Sequence, residues 1–336
     1  MSQRSEFRRK GRATIIDVGR VAGVSDATVS RALNTPEKVS KATRQRVEHA
    51  IAETGYVPNP LAKAMVSGRT FTVGALVPTL DHAIFSRFLN ALETELSHQS
   101  YNLVVAVTDG DNAVEVKKAE KLLSMGVEGL IVTGLSHNAE LLARAQRAQV
   151  PLVATSYFEP TAALPTIGYD NERAAVLACD HLVALGHRNI AVIHGPVATN
   201  DRTRSRVDAL RAMPPDIKLQ FIETSLDYRG GGNAVTSWDP AVTAILCLSD
   251  VLAMGALFKL QAMGKQVPAD VSLMGFDDMD VSAFLTPPLT TLHLPIAQMG
   301  RDAAQAVCRY LEEGTPIQSV ELTARVAVRG STAPLA

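Results

Sequence analysis

The sequence predicts two structural classes in one chain: a small all-helical headpiece, then a larger α/β core built on parallel sheets covered by helices. Three observations predict this. Residues 14–34 carry two short apolar stripes at helical spacing around Gly23-Val24-Ser25. From Phe71 onward, short apolar runs alternate with longer helical stretches, the pattern of strands buried on both faces. Charge divides at the same boundary. Residues 1–70 hold 13 Lys and Arg against 6 Asp and Glu, a net of +7, whereas the remainder holds 20 against 28, a net of −8. The whole-chain net of −1 hides that division, which draws one end toward phosphate and keeps the rest away. A length of 336 residues suits a headpiece and a two-lobed core.

In the headpiece, Ile15, Val18, Val21 and Ala22 form one stripe, and Val29, Ala32 and Leu33 form a second. Gly23 suits the left-handed conformation that closes the first helix, and Ser25 suits the N-cap of the second. The other face of the second helix carries Asp26, Ala27, Thr28, Ser30, Arg31 and Asn34, short or hydrogen-bonding residues. Such a face fits the major groove of DNA, its N-terminal residues at base edges and its hydroxyls at phosphates. A generic helix hairpin is the alternative for these residues alone. A third helix is predicted after Ser40 as N-cap, through Thr43-Arg44-Gln45-Arg46-Val47, with Gly55 closing it.

The order Asp17-Val18, Ala22-Gly23-Val24-Ser25, Thr28-Val29-Ser30-Arg31 and Leu33-Asn34, then Val39-Ser40, Thr43-Arg44, Val47 and Gly55-Tyr56, resembles a known family. It is that of the lactose-repressor/purine-repressor (LacI/GalR) bacterial transcription regulators. The resemblance is dense over residues 13–59 and continues more thinly to Thr332. It implies a sequence-specific DNA-binding regulator, most often a repressor, that holds a palindromic operator as a homodimer and responds to a small molecule. By the same resemblance Asp26 and Ala27 hold the positions that choose the operator sequence. Asp26 has two open roles, accepting from a cytosine amino group or sitting favourably at the helix N-terminus. Ala27 can touch only a thymine methyl, and Arg31 is the expected guanine contact. Thr14, Ser25, Thr28, Asn34, Ser40 and Thr43 are expected on the DNA backbone, with Ser30 and Tyr56 on the same surface.

Residues 1–12 form a basic arm whose Arg4, Arg8, Arg9, Lys10 and Arg12 either contact phosphate or remain a solvated tail. The headpiece is assigned to 13–58 and a hinge to 59–70. Within it, Pro60 can start a helix, but the segment 59–67 is shorter than the roughly 12–15 residues that persist alone in water. The resemblance implies a segment that is helical only on operator DNA, contacting the minor groove through Asn59, Ala62 and Met65. Met65 stands where the family usually has a Leu that wedges into the central base step. Met is of similar size and more flexible.

Strands in the core, 71–336, are expected at 73–77, 103–107, 129–132, 152–155, 190–193, 245–248 and 272–275. Helices are expected at 85–98, 113–125, 139–148, 173–185, 202–211 and 251–263. The resemblance implies two periplasmic-binding-protein-like lobes, the N-lobe about 71–169 plus 299–323 and the C-lobe about 170–298 plus 324–332. Ligands in such folds bind at the carboxyl ends of strands, so those ends mark the candidates. Phe85 can stack on a ring or simply fill the core. Ser156 offers a hydroxyl. The resemblance places an Arg that forks to ligand hydroxyls or a carboxylate at Arg206, although Arg202 and Arg204 leave the register open by a residue or two. Tyr228 lies where many relatives put an aromatic cover. Ser249 is read as the nearer ligand contact and Asp250 as the helix N-cap. Asp277 is a strand-end carboxylate able to accept two hydroxyl hydrogen bonds. Together they favour a sugar, sugar acid or nucleoside-like effector, an inducer by analogy with most relatives.

Other classes find little support. Gly230-Gly231-Gly232 lacks the strand–turn–helix context and the Lys of a phosphate loop, and Asp109-Gly110-Asp111-Asn112 lacks the sixth-position glycine of a calcium loop. Asp277, Asp278 and Asp280 invite a metal reading, yet no metal, cofactor or enzymatic chemistry is expected. Cys179, Cys247 and Cys308 lie far apart and fit buried thiols in a reducing cytoplasm. No apolar run approaches the ~18 residues of a membrane span, and the basic N-terminus lacks a signal peptide's apolar stretch. A transport-type sugar-binding protein would have a similar core with a signal peptide and no headpiece. The chain carries no leucine-heptad tail, so a dimer is expected.

Overall fold

The computed structural model describes residues 13–57, 64 and 68–335. The basic arm and the expected hinge contacts Asn59, Ala62 and Met65 lie outside the described residues. The chain divides into two compact units, one up to Thr70 and one from Phe71.

The first unit contains α1 (Ile15–Ala22), α2 (Asp26–Asn34) and α3 (Lys41–Thr54). Gly23 closes α1 at φ 64°, and Ser25 and Ser40 cap α2 and α3. Val18, Ala22, Val29, Ala32, Val47 and Ala50 form a small core, with Ile15, Leu33 and Tyr56 packed on it. Val21 departs from the expected stripe and is 44% exposed. Six residues after Ile15 it lies roughly 240° around the helix, off the face shared by Ile15, Val18 and Ala22.

Two six-stranded sheets make up the second unit. The first has the order β11-β5-β4-β3-β1-β2, with β1 Thr72–Val77, β2 Asn102–Val107, β3 Gly129–Thr133, β4 Leu152–Thr155, β5 Thr166–Gly168 and β11 Val320–Glu321. The second has the order β12-β10-β9-β8-β6-β7, with β6 Asn189–His194, β7 Lys218–Glu223, β8 Ala244–Cys247, β9 Ser272–Asp277, β10 Thr290–His293 and β12 Arg325–Ala327. Only the β10–β12 pair among the described strands is antiparallel. The chain passes between the sheets after β5, after β10 and between β11 and β12.

Period-2 alternation covers both faces of each sheet. Val73 and Ala75 of β1 join a core with Phe88 and Leu92 of α4 (Ala83–His98) and with Met299 and Ala303 of α11 (Ile296–Glu313). Leu76 faces the other way, onto Leu122 of α5 (Asn112–Ser124) and Leu141 of α6 (Ala139–Arg147). In the second sheet, Ile190 and Val192 face α7 (Asn171–Ala184) and α8 (Asp201–Arg211). Ala191 and Ile193 join the cluster of α9 (Tyr228–Ala234) and α10 (Asp250–Ala262). The triple glycine serves that last pair. A Cβ on Gly231 would collide with the Leu252 carbonyl, so its absence lets α9 lie directly on α10.

Asp250 is not the N-cap of α10; Ser249 is, accepting from the Val251 N–H. Asp250 turns inward instead and is fully buried. Its carboxylate accepts from the Met279 N–H at 2.8 Å and from the Ser282 and Thr291 hydroxyls at 2.6 Å each, joining α10 to the ends of β9 and β10. Burial pushes its pKa up, and these three donors oppose that. Asp250→Ala strands three buried donors and is expected to cost about 3 kcal/mol, read from the urea midpoint. Asp250→Asn, which keeps one acceptor oxygen, is expected to cost less, and an unchanged midpoint in both variants would remove Asp250 as a structural tie.

Candidate functional site

The charged end of the chain presents α2 as an exposed helix. Ser25 Oγ accepts from the Thr28 N–H at 3.2 Å and lies 2.9 Å from Thr28 Oγ1. Ser40 and Thr43 repeat the arrangement at α3, at 3.2 and 2.9 Å. Thr14 and Asp17 form a capping box, with Thr14 N–H donating to Asp17 Oδ2 at 3.0 Å and Asp17 N–H to Thr14 Oγ1 at 3.3 Å. Hydrogen bonds from Thr14, with Arg20 nearby, hold the Asp17 carboxyl below its usual range.

Several expected DNA-facing hydroxyls are therefore already helix caps, which fixes their direction without using both hydroxyl lone pairs. Asp26 and Ala27 are exposed at the first turn of α2, and Asp26 Oδ1 accepts the Ala27 N–H at 2.8 Å. Arg31 is exposed on the same helix, Ser30 is half-buried, and Asn34 is the last residue of α2. Tyr56 is half-buried against the headpiece core.

The strand ends of the core converge on a second place. Phe85 of α4, Ser156 after β4, Arg206 of α8, Ser249 after β8 and Asp277 at the end of β9 line one cavity. Both sheets contribute to it. Its volume is about 60 Å³, room for only a few waters. A wider chamber of about 500 Å³ lies alongside, bordered by Asp109, Glu115, His137 and Arg204, and Arg202 lines both spaces. The wider space does not contain Arg206 or Asp277, which line the narrow one.

Tyr228 does not line either space. It opens α9 and is 52% exposed, while Leu226, two residues earlier, reaches the narrow cavity. A run of three glycines gave little helical pattern from which to judge which side of the backbone faced inward.

Arg206 is the centre of the site. It is 6% exposed, with Nε donating to Asn171 Oδ1 at 2.9 Å, one terminal nitrogen to the Leu248 carbonyl at 3.3 Å and the other to Tyr169 Oη at 3.4 Å. Its guanidinium stacks 4.1 Å above the Phe276 ring. Asn171 Nδ2 in turn donates to the Ser156 carbonyl at 3.0 Å, linking the end of β4 in one sheet to α7 and α8 of the other. Ser156 itself has φ 63°, an uncommon non-glycine conformation.

Asp277 is buried and accepts from Ser249 Oγ at 3.1 Å. Burial, then the nearby Asp250 carboxyl, push its pKa up to about 7, against the opposing charge of Arg206 and the Ser249 hydroxyl. The acidic run does not form one cluster. Asp278 bonds His293 at 2.8 Å and Arg329 at 2.6 Å, and Asp280 lies exposed 4.0 Å from Arg87. Sequence reasoning missed Asn171 and Tyr169 as parts of the site, and Arg202, left open there as an alternative to Arg206, lines the same cavity. Asn171 and Tyr169 sit just past the end of β5, a three-residue strand with no apolar run to announce it.

The narrow cavity thus brings together a buried guanidinium, a buried carboxyl and the Phe85 ring. Among the described residues no helix is long and apolar enough to cross a membrane, and no group of three or more His, Cys, Asp or Glu is placed to hold a metal.

Comparison with known proteins identifies both parts of the chain. Residues 14–59 match the bacterial regulatory proteins of the lacI family, and residues 70–329 match the periplasmic binding proteins and sugar binding domain of that family. The chain is 32% identical over 335 residues to the HTH-type transcriptional repressor CytR of Escherichia coli K12, covering 96% of this chain and 97% of that one. It is 29% identical to the transcriptional repressor PurR of Aliivibrio fischeri strain MJ11, over 95% and 98%. The lac repressor dimer bound to operator and the anti-inducer ONPF superposes with a TM-score of 0.84 at 26% identity, over 96% of this chain and 100% of that one. A helical DNA-binding unit and a two-sheet ligand-binding core on one chain thus place the protein in the LacI family, as a transcriptional repressor and not an enzyme.

Proposed function

We propose that this repressor binds a palindromic operator as a homodimer in the cytoplasm, and that a small polyhydroxylated or nucleoside-like molecule bound between the two core lobes releases it. The observation that carries the reading is the convergence of Phe85, Ser156, Arg206, Ser249 and Asp277 on one cavity from both sheets. A fork-shaped donor beside a carboxylate acceptor suits vicinal hydroxyls, and an apolar wall suits the face of a ring.

For the dimer the support is twofold. The lac repressor, similar over the whole chain, is a dimer on its operator. Here Tyr228, Phe258, Val281 and Phe284 are exposed on α9, α10 and the adjoining short 3-10 turn, with Phe284 84% exposed. Large apolar side chains left in water on neighbouring elements suit a protein interface. Asn59, Ala62 and Met65 are assigned to the minor groove, and α2 to the major groove of each half-site.

A thermal-shift screen of the full chain against sugars, sugar acids, polyols and nucleosides tests the ligand reading. A ligand at about 100 times its Kd adds roughly 2.7 kcal/mol, and that shift is expected to vanish in Arg206→Ala. A hit retained at full strength in that variant would move the site elsewhere. Adding the hit to an operator-binding assay gives the sign, with loss of binding expected for an inducer.

Binding should also depend on pH through Asp277. A ligand whose hydroxyls donate to the carboxylate favours its ionised form, so the bound pKa falls below the free value of about 7. Affinity is then full above that pH and weakens as pH falls below it, by at most about tenfold per unit. Calorimetry should show proton release on binding near neutrality. Asp277→Asn should flatten the profile, and an unaltered profile in that variant would remove Asp277 as the titrating group.

On the DNA side, Arg31→Ala should lose discrimination at one base pair per half-site, worth about 1–3 kcal/mol. Competition against random duplex at fixed salt reads this, and equal weakening on both DNAs would mean that Arg31 grips phosphate alone.

A further inference from the structure

The narrow cavity and the wide chamber share one wall, the start of α8. Asp201, its first residue, is 8% exposed and reaches the loop that follows β3 in the other sheet. There Asp201 Oδ2 accepts two successive backbone N–H groups, Leu135 at 2.6 Å and Ser136 at 2.9 Å. Successive N–H groups aimed at one oxygen make a concave anion seat. Two more bonds cross beside it, from Arg202 to the Thr133 carbonyl at 3.4 Å and from Arg204 to Ser136 Oγ at 3.1 Å. Tyr157 and Ser205 join their hydroxyls a turn further along.

The seat is braced from behind. His137 lies 3.0 Å from Glu115 through Nδ1 and 2.9 Å from the Gly134 carbonyl through Nε2, with the pair almost wholly out of water. Two acceptors on the two ring nitrogens suit the imidazolium, which donates from both. Gly134, at φ 87°, completes the fit: a Cβ there would fall 2.6 Å from Asp201 Oδ1. The contact therefore needs a carboxylate on one lobe, and two free N–H groups and a missing side chain on the other.

We propose that Asp201 and Arg202 form an inter-lobe clasp that holds the narrow cavity shut, and that the effector reaches this clasp through Arg202, whose side chain lines both spaces. A cavity of about 60 Å³ is narrow for a sugar ring, so a ligand that seats there is expected to move the lobes, and Arg202 is the clasp residue that it meets. Arg202 also donates to Asp201 Oδ1 at 2.8 Å, so a ligand that draws the guanidinium away loosens the carboxylate as well. This inference rests on the reading of the core as an effector-binding unit, and Asp201 and Arg202 are positioning residues within it.

The test uses the full chain. Ala139→Cys and Ala198→Cys place spin labels on exposed positions either side of the clasp, the three native cysteines being buried. Asp201→Ala and, from the opposite lobe, Gly134→Ala are expected to lengthen or broaden the inter-label distance and to raise Leu135 and Ser136 amide exchange about tenfold, the equivalent of one hydrogen bond to a charged group. Arg204→Ala, at the exposed rim, should change the distance far less.

Operator DNA selected from a random pool should then bind Asp201→Ala with an affinity changed about fivefold or more, the lower end of allosteric coupling. An unchanged distance in both clasp variants would overturn the proposal, and an open clasp with unchanged operator affinity would overturn its regulatory part. The effector reading fails separately: a blank small-molecule screen with lobes that open on Asp201→Ala would strike that reading and leave the clasp.

Discussion

A guanidinium removed from water must find its partners inside the protein, and Arg206 finds them on elements that the chain brings together from far apart. Asn171 comes from the start of α7, the Leu248 carbonyl from the end of β8, and the stacking ring from Phe276 on β9. Through Asn171 the contact extends to the Ser156 carbonyl at the end of β4. The strand ends of the second sheet, and one of the first, are therefore registered on a single planar cation. Such a group is costly to bury and more costly to leave half-satisfied. Its neighbours must be held in place, and its charge reaches Asp277, opposing the burial that pushes that carboxyl's pKa up to about 7.

The charge division of the sequence has a structural counterpart. The headpiece buries a core of small residues, Val18, Ala22, Val29, Ala32, Val47 and Ala50, and its stability leans on three capped helix starts at Thr14, Ser25 and Ser40. Each cap contributes on the order of 1 kcal/mol, a large share for so small a unit. The same hydroxyls stand on the surface proposed to meet phosphate. Capping and DNA contact thus draw on one set of residues, and a substitution at Ser25 would disturb both together.

Much of this was legible in the sequence because period and position carried it. The strands from Val73 to Ser272 that were expected are those with unbroken apolar runs, buried on both faces except for β2 at a sheet edge. The remaining strands were not visible. β5, β11 and β12 have two or three residues, β10 reads Thr-Thr-Leu-His, and β7 mixes polar and apolar residues as Lys-Leu-Gln-Phe-Ile-Glu at a sheet edge. Arg206 and Asp277 were readable because strand and helix ends are where such folds bind ligands. Ser249 caps the helix as well as lining the cavity, and Asp250 turns inward, since only the fold shows that Ser282 and Thr291 lie within reach of it. Tyr228 faces outward because its helix begins in a glycine run without an apolar stripe. Asp201 carried no motif at all; its partners are backbone N–H groups 65 and 66 residues away.

The three passages of the chain between the sheets have a consequence for synthesis. The first sheet is built from residues 72–168 and waits for β11 at Val320–Glu321 to cover the edge of β5. Its helix α11, which packs on α4, arrives only after every parallel strand of the second sheet has been made. A nascent chain emerging from the ribosome therefore holds an open strand edge and an uncovered apolar face on its first lobe while the second lobe is translated. The lobes cannot mature one after the other as independent modules; they close together, in the final forty residues. Such a chain is exposed during synthesis to the edge-to-edge pairing that sheets otherwise avoid, and a break anywhere before residue 320 would leave both lobes unfinished, not one complete and one missing.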